Sequence, residues 1–296
     1  MKSTPTMQAV ASLRYGVIFK KAFSQPDVFT AFVKDILGID LIIDHVETEK
    51  SFPNAIGNIA NHFDLFAEDK VNRIIVDIQH RRHADHYHRF LHYHCAALLE
   101  QAVQAKDYRP ALAVYTIVVL TSGDKHARDM AMIDFDPKDR NGVGLGEVPH
   151  KIIYLCPKYL NDETPEAWRE WMLAINDSLD EEVDESAYHN RCVQKVLRSI
   201  RKATLSPEDH ARMKDEYSED ELRKEEREKA LQEGIQKGIE KGMEKGMQEG
   251  MEKGKHQQAL GIAANLLDLL DDPTIAQKTG LSLEQVEQLR HLRKQR

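Results

Sequence analysis

The chain has 296 residues, 41% of them hydrophobic, which is enough for one sizeable packed domain and a smaller second one. Its formal net charge of −8 argues against a protein that coats nucleic acid through bulk basicity. Cys95, Cys156 and Cys192 lack the paired spacing of zinc sites and disulfide frameworks, and the N-terminus lacks the apolar stretch of a signal peptide. The longest apolar run, Ala111–Leu120, is about half of a membrane span, so we expect a soluble, cytoplasmic protein without membrane contacts.

The N-terminal segment predicts two helices and a strand. Tyr15–Phe23 has the pattern of a short helix, and residues 24–27 then supply a capping residue followed by proline at the first helical position. Apolar residues recur at helical spacing from Phe29 to Leu37, and Gly38 is a natural C-terminal stop. The pattern from Leu41 to Glu47 predicts a strand.

Two further strands, His62–Ala67 and Arg73–His80, are separated by a short polar stretch that suits a hairpin loop. Their register is predicted from matched side chains on the two strands. If Asp64 lies opposite Asp77, the apolar residues also pair with one another, as Phe66 with Ile75, Leu65 with Val76 and Phe63 with Ile78. The two acids are then the exception in an otherwise apolar ladder.

These two acids and one amide carry the chemistry that the hairpin can support. Side chains alternate along a strand, so Asp77 and Gln79 share a face, and cross-strand pairing adds Asp64 to it. Carboxylates are costly in apolar strands unless their charge is offset, and two of them aimed at one point indicate a divalent cation. The alternative is an Asp on an edge strand that simply faces solvent.

The rest of the α/β part is predicted from a helix followed by buried strands. Residues 84–104 have a helical pattern, Ala111–Thr121 is typical of a fully buried strand, and Lys151–Cys156 predicts a further short strand. A helix between two strands implies a crossover connection. We therefore expect an α/β core over residues 1–160, followed by a helical extension over residues 161–205.

The remaining chain is charged and repetitive. Residues 206–256 carry a four-residue repeat with glycine at every fourth position from Gly234 to Gly254, and this segment is predicted to be a charged helical linker. Glycine costs about 1 kcal/mol relative to alanine in a helix, and the apolar stripe slips about 40° per repeat, so self-association is the alternative. Residues 257–296 predict a small helix-turn-helix, with a capping box at Ser282 and Gln285. Such a segment either places a helix in the major groove of DNA or serves for packing, and Glu284 and Glu287 favour packing because a groove-binding helix would carry basic groups there.

Basic and histidine clusters are the other candidates for ligand contacts. Arg81 with Arg82 forms one basic patch, and a second recurs at helical spacing from Lys195 to Lys202, although a solvated helix face is the favoured interpretation of such a pattern. His88 and His92 have a spacing that can bind transition metals, but no His-Glu pattern accompanies them. A set of side chains that face solvent, or that donate hydrogen bonds to substrate phosphates, is the favoured interpretation.

Seven stretches of the chain carry a resemblance to a known family. They are YGVIFKKAF, PDVFTAFVKDILGI, HFDLFAEDKVNRIIVDIQH, HYHRFLHYHCAALLEQ and DYRPALAVYTIVVLTS, with the tail segments EKGMEKGMQEGMEKG and TGLSLEQVEQL. Together they resemble the PD-(D/E)XK nuclease superfamily, and in particular the recombination-promoting nucleases or putative transposases (Rpn). This resemblance implies a restriction-endonuclease-like core, with a central mixed sheet flanked by helices, and a helical C-terminal tail. It also implies a metal-dependent DNA endonuclease that hydrolyses phosphodiester bonds, with a role in DNA recombination or against mobile or foreign DNA.

The resemblance assigns roles to individual residues. Asp64 and Asp77 would hold Mg²⁺ or Mn²⁺, with the backbone carbonyl of Ile78 as a further ligand. Gln79 stands where the wider superfamily has lysine, and a neutral amide can orient water but cannot offset negative charge as an ammonium does. Lys20 on the first helix is therefore a candidate source of positive charge.

Arg81 is a second candidate for that charge, and Arg81 with Arg82 would contact DNA. Gly16 stands where relatives often carry an acid, which weakens the case for a second metal. The alternative function is a catalytically weak or inactive DNA-binding or interaction protein that retains the nuclease fold. A homo-oligomer formed through the C-terminal helical tail is the remaining expectation for partners.

Overall fold

The computed structural model describes residues 7–52, 62–80, 85–102 and 109–294. Within these residues the secondary structure alternates between helices and strands. The strands are β1 (Met7–Ala9), β2 (Glu47–Lys50), β3 (Phe63–Glu68), β4 (Asn72–Gln79), β5 (Ala113–Leu120), β6 (Met130–Asp134), β7 (Lys151–Leu155) and β8 (Glu182–Asp184). The helices are α1 (Gly16–Phe23), α2 (Pro26–Leu37), α3 (His86–Ala102), α4 (Glu166–Asp177), α5 (Arg191–Ser199), α6 (Pro207–Leu266), α7 (Asp272–Thr279) and α8 (Leu283–Lys294).

Six strands form one mixed sheet in the order β2-β3-β4-β5-β7-β6. Strands β2, β3 and β4 are antiparallel neighbours, β4, β5 and β7 are parallel, and β6 runs antiparallel to β7. Helix α3 is the crossover between the parallel strands β4 and β5, as the order of the elements along the sequence predicted. The protein therefore has an α/β fold with a mixed central sheet flanked by helices.

The sheet buries both of its faces. One face packs against α1, α2, α4 and α5, with Trp171 set among the rings of Phe23 and Phe32. The other face packs against α3, through Phe90 and Tyr93. Alternating side chains of the central strands contribute to the two cores. Because both faces are buried, the sequences of β4 and β5 are nearly continuous apolar runs.

The register of the β3–β4 hairpin is confirmed over its first part. Leu65 lies opposite Val76 and Phe66 opposite Ile75, as the matching of apolar pairs predicted. The stop of α2 at Gly38 is also confirmed, since this glycine adopts a left-handed conformation with φ 72°.

The strand predicted at Leu41–Glu47 is wrong. The strand begins at Glu47 and pairs with β3 through Glu47–Lys50 instead. Leu41, Ile43 and Val46 pack against the core from an irregular segment, so their apolar character reflects burial and not strand pairing. The segment 161–205, predicted to be helical, also contains the short strand β8, which pairs with β1.

The described residues divide into two compact units, Met1–Tyr217 and Ser218–Arg296. The glycine repeat lies within the single continuous helix α6. At the C-terminus the predicted capping box is confirmed, because Ser282 N donates to Gln285 Oε1 at 2.9 Å and Gln285 N donates to Ser282 Oγ at 3.2 Å. A small core forms in the same segment, with Ile275, Leu281 and Val286 buried. None of the helices in the described part of the chain is both long and apolar enough to cross a membrane.

Candidate active site

Asp64 and Asp77 lie side by side where the β3–β4 ladder ends. The backbone N–H of Asp64 donates to Asp77 Oδ1 at 3.3 Å, and the backbone N–H of Ile78 donates to Asp64 Oδ2 at 2.9 Å. Each carboxylate therefore accepts a hydrogen bond from the main chain of the opposite strand. The structure brings together the two acids that the sequence predicted to be neighbours.

These side-chain bonds occur at the point where regular pairing of the two strands stops, after Leu65 and Val76. The predicted pairing of Phe63 with Ile78 is wrong. Phe63 packs with Phe52 in the core beside α3, whereas Ile78 packs against the core on the opposite face of the sheet. The main-chain N–H groups of Asp64 and Ile78 donate to side-chain carboxylates there, and the regular pairing of the two strands does not continue past Leu65 and Val76.

Asp77 is the more unusual of the two acids because it is only 4% exposed. Its Oδ2 atom is buried and has no hydrogen-bond partner among the residues that the structure describes. Burial, and then the negative charge of Asp64, raise the pKa of Asp77 well above its ordinary value. Burial also raises the pKa of Asp64, whose side chain remains 25% exposed. A buried carboxylate oxygen without a partner fits a site for a cation.

The raised pKa values predict how stability depends on pH. In the absence of a divalent cation the folded protein holds protons on this pair that the unfolded chain releases, so folding is favoured at low pH. The contribution is complete below the unfolded pKa of about 4 and is lost as pH rises through the raised pKa of Asp77. We expect the free energy of unfolding of an Asp77→Asn variant, minus that of the wild type, to be smallest in acid and to grow toward neutral pH. Urea titrations in EDTA across this pH range measure the difference, and a difference independent of pH would contradict the assignment.

Lys20 on α1 lies next to this pair. Its Nζ is 3.9 Å from Asp64 Oδ1 and 2.7 Å from Glu49 Oε1, and its positive charge opposes the upward shift in the pKa of both aspartates. The sequence prediction of Lys20 as a charge near the acids agrees with this geometry. Glu49 shares the ammonium, so Asp64 receives only part of its charge.

Arg89 is a second cationic side chain at the site, and the sequence analysis missed it. It lies in the first turn of α3, and its Nη1 donates to Gln79 Oε1 at 3.0 Å. Its Nε donates to Tyr93 Oη at 3.2 Å, and the guanidinium carbon lies 5.2 Å from the centre of that ring. The charge of Arg89 opposes the upward pKa shift of both Asp64 and Asp77. The available signal was the spacing of Arg89 and Tyr93, four residues apart on one helical face.

Glu216 is a third carboxylate near the pair and was also missed. It comes from the start of α6 and accepts the backbone N–H of Gly16 at 2.8 Å and that of Val17 at 2.9 Å, so it caps α1. A Cβ built on Gly16 would lie 3.8 Å from Glu216 Oε1, so a distant part of the chain brings a carboxylate next to Gly16. The negative charge of Glu216 raises the pKa of Asp64. Two hundred residues separate the partners, and no local pattern indicates such a contact.

Ile78 lies between Asp77 and Gln79 at this end of β4, and its backbone carbonyl stays a predicted ligand. Within the described part of the chain, no group of three or more His, Cys, Asp or Glu side chains is placed to hold a metal ion. A cation at the hairpin would therefore rely on two carboxylates. Mg²⁺ fits such a set because it usually takes one or two carboxylates and keeps several water ligands.

Arg81 and Arg82, the predicted DNA contacts, lie outside the described residues. The other basic patch, on and after α5, is engaged by acids. Lys195 Nζ lies 2.7 Å from Asp27, and Arg198, Arg201 and Lys202 contact Glu185 or Glu181. These partners reduce the charge that the patch can offer to phosphates, which supports the interpretation as a solvated helix face.

The histidines of α3 differ in their surroundings. His88 is exposed, whereas His94 is fully buried with Nδ1 2.9 Å from Thr116 Oγ1. Burial lowers the pKa of His94 to about 3, so its imidazole is neutral at physiological pH. His94 therefore belongs to the packing between α3 and the sheet.

No family model, curated protein or solved structure matches this chain. The function is therefore inferred from the side chains of the hairpin and from the motifs that contain them. Two acids at the end of a hairpin, with an amide, a lysine and an arginine around them, can bind a divalent cation and an anionic substrate.

Proposed function

We propose that this chain is a metal-dependent DNA endonuclease with a core of the PD-(D/E)XK type. The observation that carries the proposal is the pair Asp64 and Asp77, held together by hydrogen bonds at 2.9 and 3.3 Å, with Asp77 Oδ2 buried and unpartnered among the described residues. Burying two carboxylates side by side is unfavourable without a counter-charge. A divalent cation supplies that counter-charge.

In this proposal Asp64 and Asp77 hold Mg²⁺ or Mn²⁺, with the backbone carbonyl of Ile78 as a further ligand. When bound, the cation stabilises charge on a phosphoryl group and lowers the pKa of a water molecule to be used as the nucleophile. The partial exposure of Asp64 leaves solvent access to the pair, which a hydrolytic water requires.

Gln79 and Arg89 together take the part of a cationic hydrogen-bond donor. Gln79 Oε1 accepts a hydrogen bond from the guanidinium of Arg89, so Gln79 can use the N–H groups of its amide to donate to a phosphate oxygen or a water. Arg89 adds the positive charge that an amide lacks, and Lys20 adds a second charge next to Asp64.

The choice of DNA as substrate rests on the resemblance to the Rpn family. The order helix, hairpin, helix and strand that this resemblance implies is compatible with the observed order of α1 and α2, β3 and β4, α3 and β5. A role in DNA recombination, or against mobile or foreign DNA, is part of the same proposal.

The proposal is tested by nicking of supercoiled plasmid DNA. We expect nicking in Mg²⁺ or Mn²⁺, none in excess EDTA, and a loss of at least about 10³-fold in rate for Asp64→Asn, since metal and charge stabilisation are worth several kcal/mol. Glu163→Gln, in an exposed loop, is the matched control and should nick normally.

The alternative is a DNA-binding or interaction protein that retains this fold with little catalysis. It is favoured by the neutral amide of Gln79 and by the sharing of Lys20 with Glu49. Retarded migration of DNA on gels, with no nicking in either metal, would support this alternative and contradict the nuclease.

A further inference from the structure

The glycine repeat within α6 presents four rows of side chains to solvent. Residues four apart form a row, and successive rows lie about 90° apart around the helix. In order around the helix they are a small row, an apolar row, an acidic row and a basic row. The apolar row consists of Leu231, Ile235, Ile239, Met243, Met247 and Met251, each between 52% and 71% exposed.

The small row runs alongside the apolar row. It begins at Ala230 and continues through the six glycines from Gly234 to Gly254. Beyond its neighbours in the helix itself, a Cβ built on any of these glycines would meet no atom of the described residues within 4 Å, so the row is an open groove. Glycine is the least favourable helix residue apart from proline, so six of them need a compensating contact. The pattern is a ridge of apolar side chains next to a groove of matching period.

We infer that a second copy of this chain packs on this face in parallel orientation, with the apolar row of each helix seated in the small row of the other. A two-fold axis along parallel helices places the ridge of one against the groove of the other. An antiparallel two-fold would oppose ridge to ridge and groove to groove. Rows of period four that interdigitate cross at about −50°, so the contact extends over a few repeats and not over the whole of α6.

The outer rows favour the same orientation. The acidic row, next to the apolar row, is Gln232, Gln236, Glu240, Glu244, Gln248 and Glu252. The basic row, next to the small row, is Lys229, Glu233, Lys237, Lys241, Lys245, Glu249 and Lys253. Parallel pairing sets the acidic row of one copy beside the basic row of the other, whereas antiparallel pairing sets like charges together. Charge complementarity therefore selects a second copy of this chain, in parallel, as the occupant.

The first test is sedimentation of the full-length chain, and it is independent of the proposed nuclease activity. We expect a dimer whose dissociation constant rises at least about tenfold in Gly242→Ala/Gly246→Ala, because two methyl groups fill the groove. Alanine also favours helix, so circular dichroism should show equal or higher helicity in this variant. Glu225→Ala/Glu228→Ala, with the same number of alanines at exposed positions of α6 before the repeat, should dimerise as the wild type does. A monomeric wild type, or unchanged or tighter association of the glycine variant, would overturn the inference.

The second test concerns orientation. Glu240→Lys/Glu244→Lys should weaken association by about tenfold, because parallel pairing then sets lysine against lysine. Mixing it with Lys241→Glu/Lys245→Glu should restore a mixed dimer, which separates charge repulsion from misfolding. Unchanged association of the first charge variant alone would overturn the parallel arrangement.

Discussion

Replacing Asp77 by asparagine is expected to abolish Mg²⁺-dependent nicking and, at neutral pH in EDTA, to raise the free energy of unfolding by about 1–3 kcal/mol. Activity is lost because a neutral amide does not replace a carboxylate as a ligand for Mg²⁺. Stability rises because the variant removes a buried negative charge that lies next to Asp64 and whose Oδ2 has no partner in the described structure. The new amide also brings N–H groups that can donate to the Asp64 carboxylate. Plasmid nicking and urea denaturation of the same preparations measure the two effects.

Metal binding supplies the matched control for this prediction. Mg²⁺ should raise the melting temperature of the wild type and leave that of Asp77→Asn unchanged, because a ligand stabilises only the folded form that binds it. Asp77→Ala should lose nicking as well, but it leaves the backbone N–H of Asp64 without its acceptor and gains less stability. A variant Asp77→Asn that is less stable than the wild type in EDTA, or that still nicks DNA, would contradict the assignment of Asp77 as a metal ligand.

Replacing Arg89 by methionine is expected to lower the rate of nicking by about 10²–10³-fold, the effect of removing one positioned donor from a developing negative charge. The loss should fall mainly on kcat, since the other basic groups still attract DNA. Arg89→Lys retains the positive charge but lacks the planar set of donors of a guanidinium, so its nicking rate should lie between those of the wild type and Arg89→Met. Single-turnover rates at saturating DNA, compared with binding measured in Ca²⁺, separate the chemical step from affinity.

A second substitution shows whether Arg89 acts by its charge beside Gln79. Gln79→Lys introduced into the Arg89→Met variant should raise the nicking rate at least about tenfold. The lysine ammonium then supplies, at position 79, the positive charge that Arg89 supplies beside Gln79 in the wild type. Arg140→Met, in an exposed loop, is the control for a lost arginine and should have no effect. Full activity of Arg89→Met would contradict the proposed role, and no recovery in the double variant would assign Arg89 to packing against Tyr93 instead.

The hairpin illustrates how far local pattern determines a site. The period of two along β3 and β4, and the matching of Phe66 with Ile75, were enough to predict the register that brings Asp64 to Asp77. The same rule failed at Phe63, the residue before Asp64, where the carboxylates accept main-chain hydrogen bonds and regular pairing has stopped. Strand pairing is predicted by alternation only where nothing competes for the backbone N–H groups.

The segment before β2 illustrates a different failure. The apolar residues Leu41, Ile43 and Val46 resemble those of a strand, yet they pack on the core from an irregular segment. Burial alone produces such a pattern, and hydrogen bonding decides whether it becomes a strand.

The sequence by itself determined the order of most helices and strands, the α/β class and the proximity of Asp64 to Asp77, because each depends on periodicity, caps or the register of one hairpin. Tertiary structure alone decided that Asp77 is buried with an unpartnered oxygen, that Arg89 engages Gln79, and that Glu216 caps α1 beside Asp64. These features depend on how α3 and α6 pack against the sheet and α1. Such contacts join residues from separate elements, up to 200 positions apart, and local spacing carries no information about them.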